Sequence, residues 1–364
     1  MNRIVYFSKM FQAVPHLAQV QRVLPGTFVS NRRSTLQAVR RLYPDMPLAR
    51  YSRFLGPLAA GNRELKNADV VVTGSPYRSF LQPYPAKKCT VFHGTYMLLS
   101  KEALLHNAHF DLLCVIGPRM QQMIQRFDPE VRVRCEPTGF LPFCEFPEQT
   151  SQQRAQALSG LGLDPERKTI IYTPSRRGIG SWTLVAEQLV LTTPAHFNLV
   201  LRPHPSQALT SRSQDRASFR RVAALAAQRP RTLLDLTNAP LPVLQSVADL
   251  VVSDANSPAE ESLFYDVPQL FIETDLLSQD VMRRMAEQES MHPDDTQRLL
   301  TLYECGLRQR VSSPIDFAPL LERAIDDAGA FAANRQQYFS WVFGERDRLA
   351  NQRVAKAIQT HLFK

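Results

Sequence analysis

The chain has 364 residues, enough for two domains or one large one. Its 44% hydrophobic, 21% charged and 9% aromatic composition is globular and excludes a disordered tail protein or a disulfide mini-scaffold. The net charge of +9 is uneven: residues 1–150 hold 19 Lys/Arg against 10 Asp/Glu, and residues 151–364 hold 24 of each, so the first part attracts anions.

In chain order, Arg3–Phe7, Ala68–Thr73, Lys88–His93 and Asp111–Ile116 read as strands, with helices over 97–108 and 119–127. Pro142, Pro147, Gly160 and Gly162 in a polar context predict a linker over about 142–165. The rhythm then restarts with strands at Thr169–Thr173, Asn198–Arg202, Thr232–Asp235, Asp249–Ser253 and Pro268–Ile272, and helices over 183–192, 216–228 and 258–265. Strand–helix alternation predicts α/β domains with doubly wound parallel sheets. The expected division is a Rossmann-like domain over 1–145, a second over 165–320, and helices over 321–364 packing back toward the first. No run of about 18 apolar residues exists, so no membrane-spanning helix is expected. The opening MNRIVYFSKM has neither a signal-peptide apolar region nor a lipidation motif. Five widely spaced cysteines without a CxxC fit a reducing compartment.

Polar residues gather where these strands end, the usual ligand position in open α/β sheets. His93-Gly94-Thr95 follows KCTVF, and Thr138-Gly139-Phe140 precedes the linker. His93 suits a general base near neutral pH, or else a buried ring beside a helix start. Gly94 permits close approach of backbone or substrate. In the second half, Thr173-Pro174-Ser175-Arg176-Arg177-Gly178 follows TIIY; paired guanidiniums in a glycine-rich stretch suit a diphosphate, or form a solvated loop. Arg202-Pro203-His204-Pro205 follows NLVL, and the flanking prolines stiffen His204, either to donate to a phosphate oxygen or simply to make a turn. Ser253-Asp254-Ala255-Asn256-Ser257-Pro258 leads into AEESLF, a helix start with Asn256 or Ser257 as N-cap and phosphate-binding N–H groups. Glu261 either favours the helix dipole or accepts hydrogen bonds from a ribose diol. No DxD triplet occurs, so no metal-bridged diphosphate is expected and no cofactor is implied.

Together HGT (93–95), TGF (138–140), YTPSRR (172–177), RPHP (202–205) and SDANSPAEESLFYDVP (253–268) resemble the CDP-glycerol glycerophosphotransferase family, the teichoic acid and capsule polymer transferases. The resemblance covers roughly residues 85–275. It implies a GT-B fold, two Rossmann-like domains facing a cleft with the last helix crossing back to the first. It implies transfer of glycerol phosphate from CDP-glycerol to a hydroxyl of a polysaccharide or lipid-linked acceptor at the inner face of the cytoplasmic membrane. His93 would be the base, with Gly94 and Thr95 on the acceptor side; His204, Arg176 and the 253–258 helix start would hold the donor, with Thr173, Ser175, Arg177, Arg202, Ser253, Asn256, Ser257 and Glu261 around it. The chain departs from the family at Asp254-Ala255-Asn256-Ser257, where Asp-Tyr-Ser-Ser is common, and at Glu261, where Asp is common.

Residues 254–270 are equally similar to the nucleotide-binding helix of UDP-GlcNAc 2-epimerases, and His204-Pro205 to bacterial transferases with CMP-linked donors. A CMP- or UDP-sugar glycosyltransferase and a 2-epimerase therefore stand as alternatives. The basic pairs 32–33, 40–41 and 87–88 suit an anionic membrane surface or a phosphorylated acceptor. No nucleic-acid motif or interleaved aromatics accompany them, so a nucleic-acid partner is not expected.

Overall fold

The computed structural model describes residues 2–95, 97–127, 132–208, 212–237 and 241–363. These fall into two compact units, one of residues 1–145, 289–291 and 340–364, the other of residues 146–288 and 292–339.

The first unit carries seven parallel strands: β1 (Ile4–Phe7), β2 (Thr27–Ser30), β3 (Leu48–Arg50), β4 (Val70–Thr73), β5 (Lys87–Thr90), β6 (Leu112–Val115) and β7 (Cys135–Pro137), ordered β3-β2-β1-β4-β5-β6-β7. The second carries β8 (Thr169–Thr173), β9 (Asn198–Leu201), β10 (Thr232–Leu234), β11 (Leu250–Ser253), β12 (Gln269–Glu273) and β13 (Leu307–Arg310), ordered β10-β9-β8-β11-β12-β13. Both are doubly wound sheets whose direction of winding reverses beside the first strand, between β1 and β4 and between β8 and β11. IVYF, VVVT, LLCV, NLVL and LVVS are buried along their whole length, as strands covered on both faces must be.

In the first unit, helix Val14–Val23 and helix Ala350–Leu362 share a core with the strands through Leu17, Val20, Val354 and Ile358. Helix Ala332–Phe343 carries the chain from one unit to the other. In the second unit, helices Trp182–Thr192 and Ser213–Gln228 cover one sheet face with Val185, Leu189, Phe219 and Val222. Leu158, Leu244 and Val247 cover the other. No helix among the described residues is long and apolar enough to cross a membrane.

Several expectations need correction. The 142–165 stretch is not a plain linker: it holds a 3-10 turn at Leu141–Glu145 and the ten-residue helix Ser151–Gly160. Thr150 caps that helix by accepting the Gln153 N–H at 3.2 Å, and Gly162, at φ +72°, closes it as Leu163 N–H reaches back to the Leu158 carbonyl. The glycine read as a breaker is the helix stop, and Leu158 is the helix's one buried residue, so no apolar period advertised it. Lys88–His93 is shorter as a strand: β5 ends at Thr90, and His93 sits in the following loop. The 97–108 helix spans only Lys101–His106, capped by Ser100. β2, β3, β7 and β13 went unread because TFVS, LAR, CEP and LRQR carry polar or charged residues in place of the apolar run that marks the other strands.

The docking of helix Ala350–Leu362 gives a direct stability test. Ile358 is fully buried, so Ile358→Ala should destabilise the first unit by about 2–5 kcal/mol. Leu191→Ala, at a side chain 60% exposed, should change stability by no more than about 0.5 kcal/mol. Urea denaturation of the two variants measures the contrast.

Candidate functional site

In the first unit, the loop after β5 is fastened at three consecutive residues. Phe92 and Gly94 both take left-handed backbone conformations, φ +54° and +73°, which turn the chain sharply around His93. His93 is half-buried, and its Nδ1 lies 2.5 Å from the Gly74 carbonyl and 3.4 Å from Ser75 Oγ. A carbonyl only accepts, so Nδ1 carries the proton and the lone pair of the neutral ring lies on Nε2. Gly94 N–H donates to Nε2 of His16 at 3.4 Å. Burial, and then the neighbouring His93, push His16 down to about 3, so it stays a neutral acceptor. The His16 ring meets Phe140 edge-on at 5.3 Å, tying the HGT loop to the Thr138-Gly139-Phe140 turn. Thr95 is buried, and its carbonyl accepts Nη2 of the fully buried Arg119 at 2.5 Å. That guanidinium lies 5.6 Å from the Trp341 ring centroid, and Trp341 Nε1 donates to Gln122 at 3.1 Å. Gly74 is needed as glycine, since a Cβ there would come within 2.7 Å of the Ala13 Cβ.

In the second unit, one buried carboxylate shapes the loop after β8. Asp254 Oδ2 accepts Ser175 N–H at 2.6 Å and Ser181 N–H at 3.0 Å, and Oδ1 accepts the Ser181 hydroxyl, itself 2.7 Å from Tyr172 OH. Burial pushes Asp254 up to about 6, opposed by these hydrogen bonds. The loop turns through Gly178 at φ +89°, and a Cβ on Gly180 would collide with the Ser175 carbonyl. Arg176 is exposed, whereas Arg177 Nε is bound to Asp215 at 3.1 Å.

Beside this loop, Asn256 Nδ2 donates to the Thr173 carbonyl at 2.7 Å, and its Oδ1 accepts Ala259 N–H at 3.3 Å as the cap of the short helix Ser257–Ser262. Ala255 adopts φ +51° to permit this. Thr173 Oγ1 is buried and has no hydrogen-bond partner among the described residues. Ser253 is buried with its hydroxyl accepting Ala255 N–H at 3.3 Å, and Ser257 is partly exposed. Arg202 is buried and ion-paired with Asp235, which also accepts both Thr237 N–H and Oγ1–H. His204 Nδ1 accepts Ser206 N–H at 3.2 Å and lies 2.8 Å from its hydroxyl, so the ring proton sits on Nε2. Burial, then the charge on Arg176, lower the His204 pKa and favour this neutral form. Glu260 is buried and accepts Tyr338 OH at 2.6 Å; Glu261 keeps some surface, but burial and then Glu260 push its carboxyl up to about 8.

Thus the second unit brings Thr173, Ser175, Ser253, Asn256 and Ser257 to the ends of β8 and β11, at its winding reversal, with Arg176 on the loop after β8 and Arg202 and His204 past β9. Arg177 and Arg202 hold carboxylates of their own fold, and Glu261 rather than Glu260 keeps access to solvent. Sequence reading passed over His16, Arg119 and Asp235. Nothing local marks them: His16 sits in the apolar helix Val14–Val23, and Arg119 begins a helix that reads as polar. Among the described residues no three His, Cys, Asp or Glu cluster as a metal site.

No protein-family model and no curated protein matches this chain. Solved structures do. The wall teichoic acid polymerase TagF superposes with TM-score 0.67 at 12% identity, covering 99% of this chain and 88% of its own. HepE from Anabaena, solved in complex with UDP-glucose, gives 0.58 at 13%, covering 99% and 100%. A glycosyltransferase from Rickettsia africae ESF-5 gives 0.55 at 14%, covering 100% and 99%. The chain has the GT-B fold of these proteins, with two parallel-sheet α/β domains.

Two stability predictions follow from the fastened loops. His16 titrates near 6.5 when unfolded and about 3 when folded, so the unfolded chain binds the extra proton between those values. Its contribution is complete above pH 6.5 and is lost as pH falls toward 3; His16→Gln should flatten that limb of a stability-against-pH curve. Asp254→Ala should leave two buried N–H groups without an acceptor, at about 1–3 kcal/mol each, whereas Asp254→Asn keeps an oxygen facing them. Thermal melts should therefore rank Asn well above Ala.

Proposed function

We propose that the protein is a transferase that takes glycerol phosphate from CDP-glycerol and delivers it to a hydroxyl of a polysaccharide or lipid-linked acceptor. The observation that carries this reading is the opposite tautomers of two imidazoles. His93 presents a lone pair on Nε2, the form of a general base. His204 presents Nε2–H, the form of a donor to phosphate oxygen. The fold shared with TagF, a structure of which contains CDPG, supports the choice of donor.

In this reading the acceptor oxygen attacks the phosphorus that bears glycerol, and its proton passes to His93 Nε2. The phosphoanhydride bond breaks, and CMP leaves with the electron pair. His204 Nε2–H, Arg176 and the N–H groups around the Asn256 cap meet the charge that grows on the leaving phosphate. Thr173 and Ser175 line the donor, Glu261 faces its ribose, and Gly94 and Thr95 lie on the acceptor side. Arg202 and Arg177 act through the carboxylates they hold. A lipid-linked acceptor would bring the enzyme to the inner face of the cytoplasmic membrane.

The second reading is sugar transfer from a CMP- or UDP-linked donor, favoured by the likeness to HepE solved with UDP-glucose. The same groups would serve with attack at the anomeric carbon. A UDP-GlcNAc 2-epimerase is the remaining alternative and needs no acceptor.

Thermal shift decides among them: stabilisation by CDP-glycerol and not by CMP-sugars supports the first reading, by a CMP-sugar or UDP-glucose the second, and by UDP-GlcNAc alone the epimerase. With the true donor, His93→Ala should lower kcat about 10²–10⁴-fold with donor affinity nearly kept, and His204→Ala should weaken donor affinity as well. Near-normal turnover in both variants would refute the site.

A further inference from the structure

Phe54 is 97% exposed and Leu58 81%, the two most exposed large apolar side chains among the described residues, and Leu55 beside them is 55% exposed. They share one short loop between β3 and helix Ala60–Lys66. The loop is tied down. Asn62 Oδ1 accepts Ser52 N–H at 2.9 Å, and its Nδ2 donates to the Ser52 carbonyl at 3.0 Å. Arg63 Nη1 donates to the carbonyls of Pro57 at 3.2 Å and Leu58 at 3.1 Å. Leu58 N–H and Ala59 N–H close a 3-10 turn on Leu55 and Gly56. The backbone therefore holds three apolar side chains outward in a fixed array.

The surroundings are basic. Residues 28–66 hold eight Lys/Arg against only Asp45 and Glu64, so this stretch supplies six of the chain's nine net positive charges. Arg50, Arg53 and Arg63 are exposed around the loop, and helix Arg33–Leu42, with Arg40 and Arg41 exposed, packs on the same β2–β3 edge of the sheet. Apolar side chains projecting from a cationic rim match the headgroup boundary of an anionic bilayer. A protein partner fits less well: the apolar array is one aromatic and two leucine side chains, a small core for the roughly 20–30 residues that each side of a stable interface contributes.

We propose that the loop Arg53–Leu58 docks the first unit on an anionic lipid surface by inserting Phe54, Leu55 and Leu58 among the acyl chains while the arginines contact the headgroups. The inference deepens the peripheral-membrane part of the reading above and rests on none of its transfer chemistry; vesicle binding and turnover are read separately, so either can fail alone.

The test uses the full chain with phosphatidylcholine vesicles, with or without phosphatidylglycerol. Co-sedimentation should occur only with phosphatidylglycerol and should weaken with added salt. The double variant Phe54→Ser, Leu58→Ser should bind about tenfold or more weakly, with an unchanged melting temperature because both side chains are exposed. Phe54→Trp should show a blue-shifted emission on binding and quenching by brominated lipid; the two native tryptophans are buried and supply the background. Serine variants that bind like wild type, or Phe54→Trp emission unmoved by vesicles, would overturn the proposal. So would a lipid-free dimer that the serine pair dissolves, which would make the loop a contact between copies.

Discussion

Removing a carboxylate from water costs several kcal/mol unless its lone pairs are filled, and Asp254 is fully buried. Its oxygens are filled by two backbone N–H groups and a hydroxyl from the ends of a single loop, Ser175 and Ser181. That convergence bends residues 175–181 back on themselves and explains why Gly180 has room for no side chain. It fixes the start of helix Trp182–Thr192 and sets the base from which Arg176 extends. Asn256, two residues on, binds the Thr173 carbonyl, so β8 and β11 are joined by polar side chains beyond the last rung of their ladder.

The first unit fastens its loop with a main-chain carbonyl, one neutral ring and one cation. Its HGT loop hangs from the Gly74 carbonyl, the His16 ring and the Arg119 guanidinium. Each contact is to a main-chain atom or fixes a tautomer, so the geometry survives changes in neighbouring side chains better than a surface ion pair would. Left-handed residues mark the same places: Phe92 and Gly94 in one unit, Ala255 and Gly178 in the other. Backbone strain of this kind persists where surrounding contacts over-determine the chain.

The fold was legible where a buried strand is apolar along nearly its whole length. VVVT, LLCV and LVVS have no polar alternation and announce themselves as buried parallel strands. The helix after β11 was legible from Asn256 and Pro258, because capping is local. His16, Arg119 and the fastening role of Asp254 were not, since their partners lie 78, 24 and 79 residues away. Helix Ser151–Gly160 was hidden for another reason: Arg154 anchors it through the Val247 carbonyl and Asp249, so polar contacts replace the apolar stripe a sequence reader looks for.

Helix Ala350–Leu362 completes the core of the first unit with Val354, Ile358 and Leu362. On a ribosome, the strands β1 to β7 emerge long before that helix exists, and the second unit is fully translated in the interval. The part made first is therefore the part finished last, and the apolar sheet face that this helix covers must wait for about two hundred further residues of synthesis.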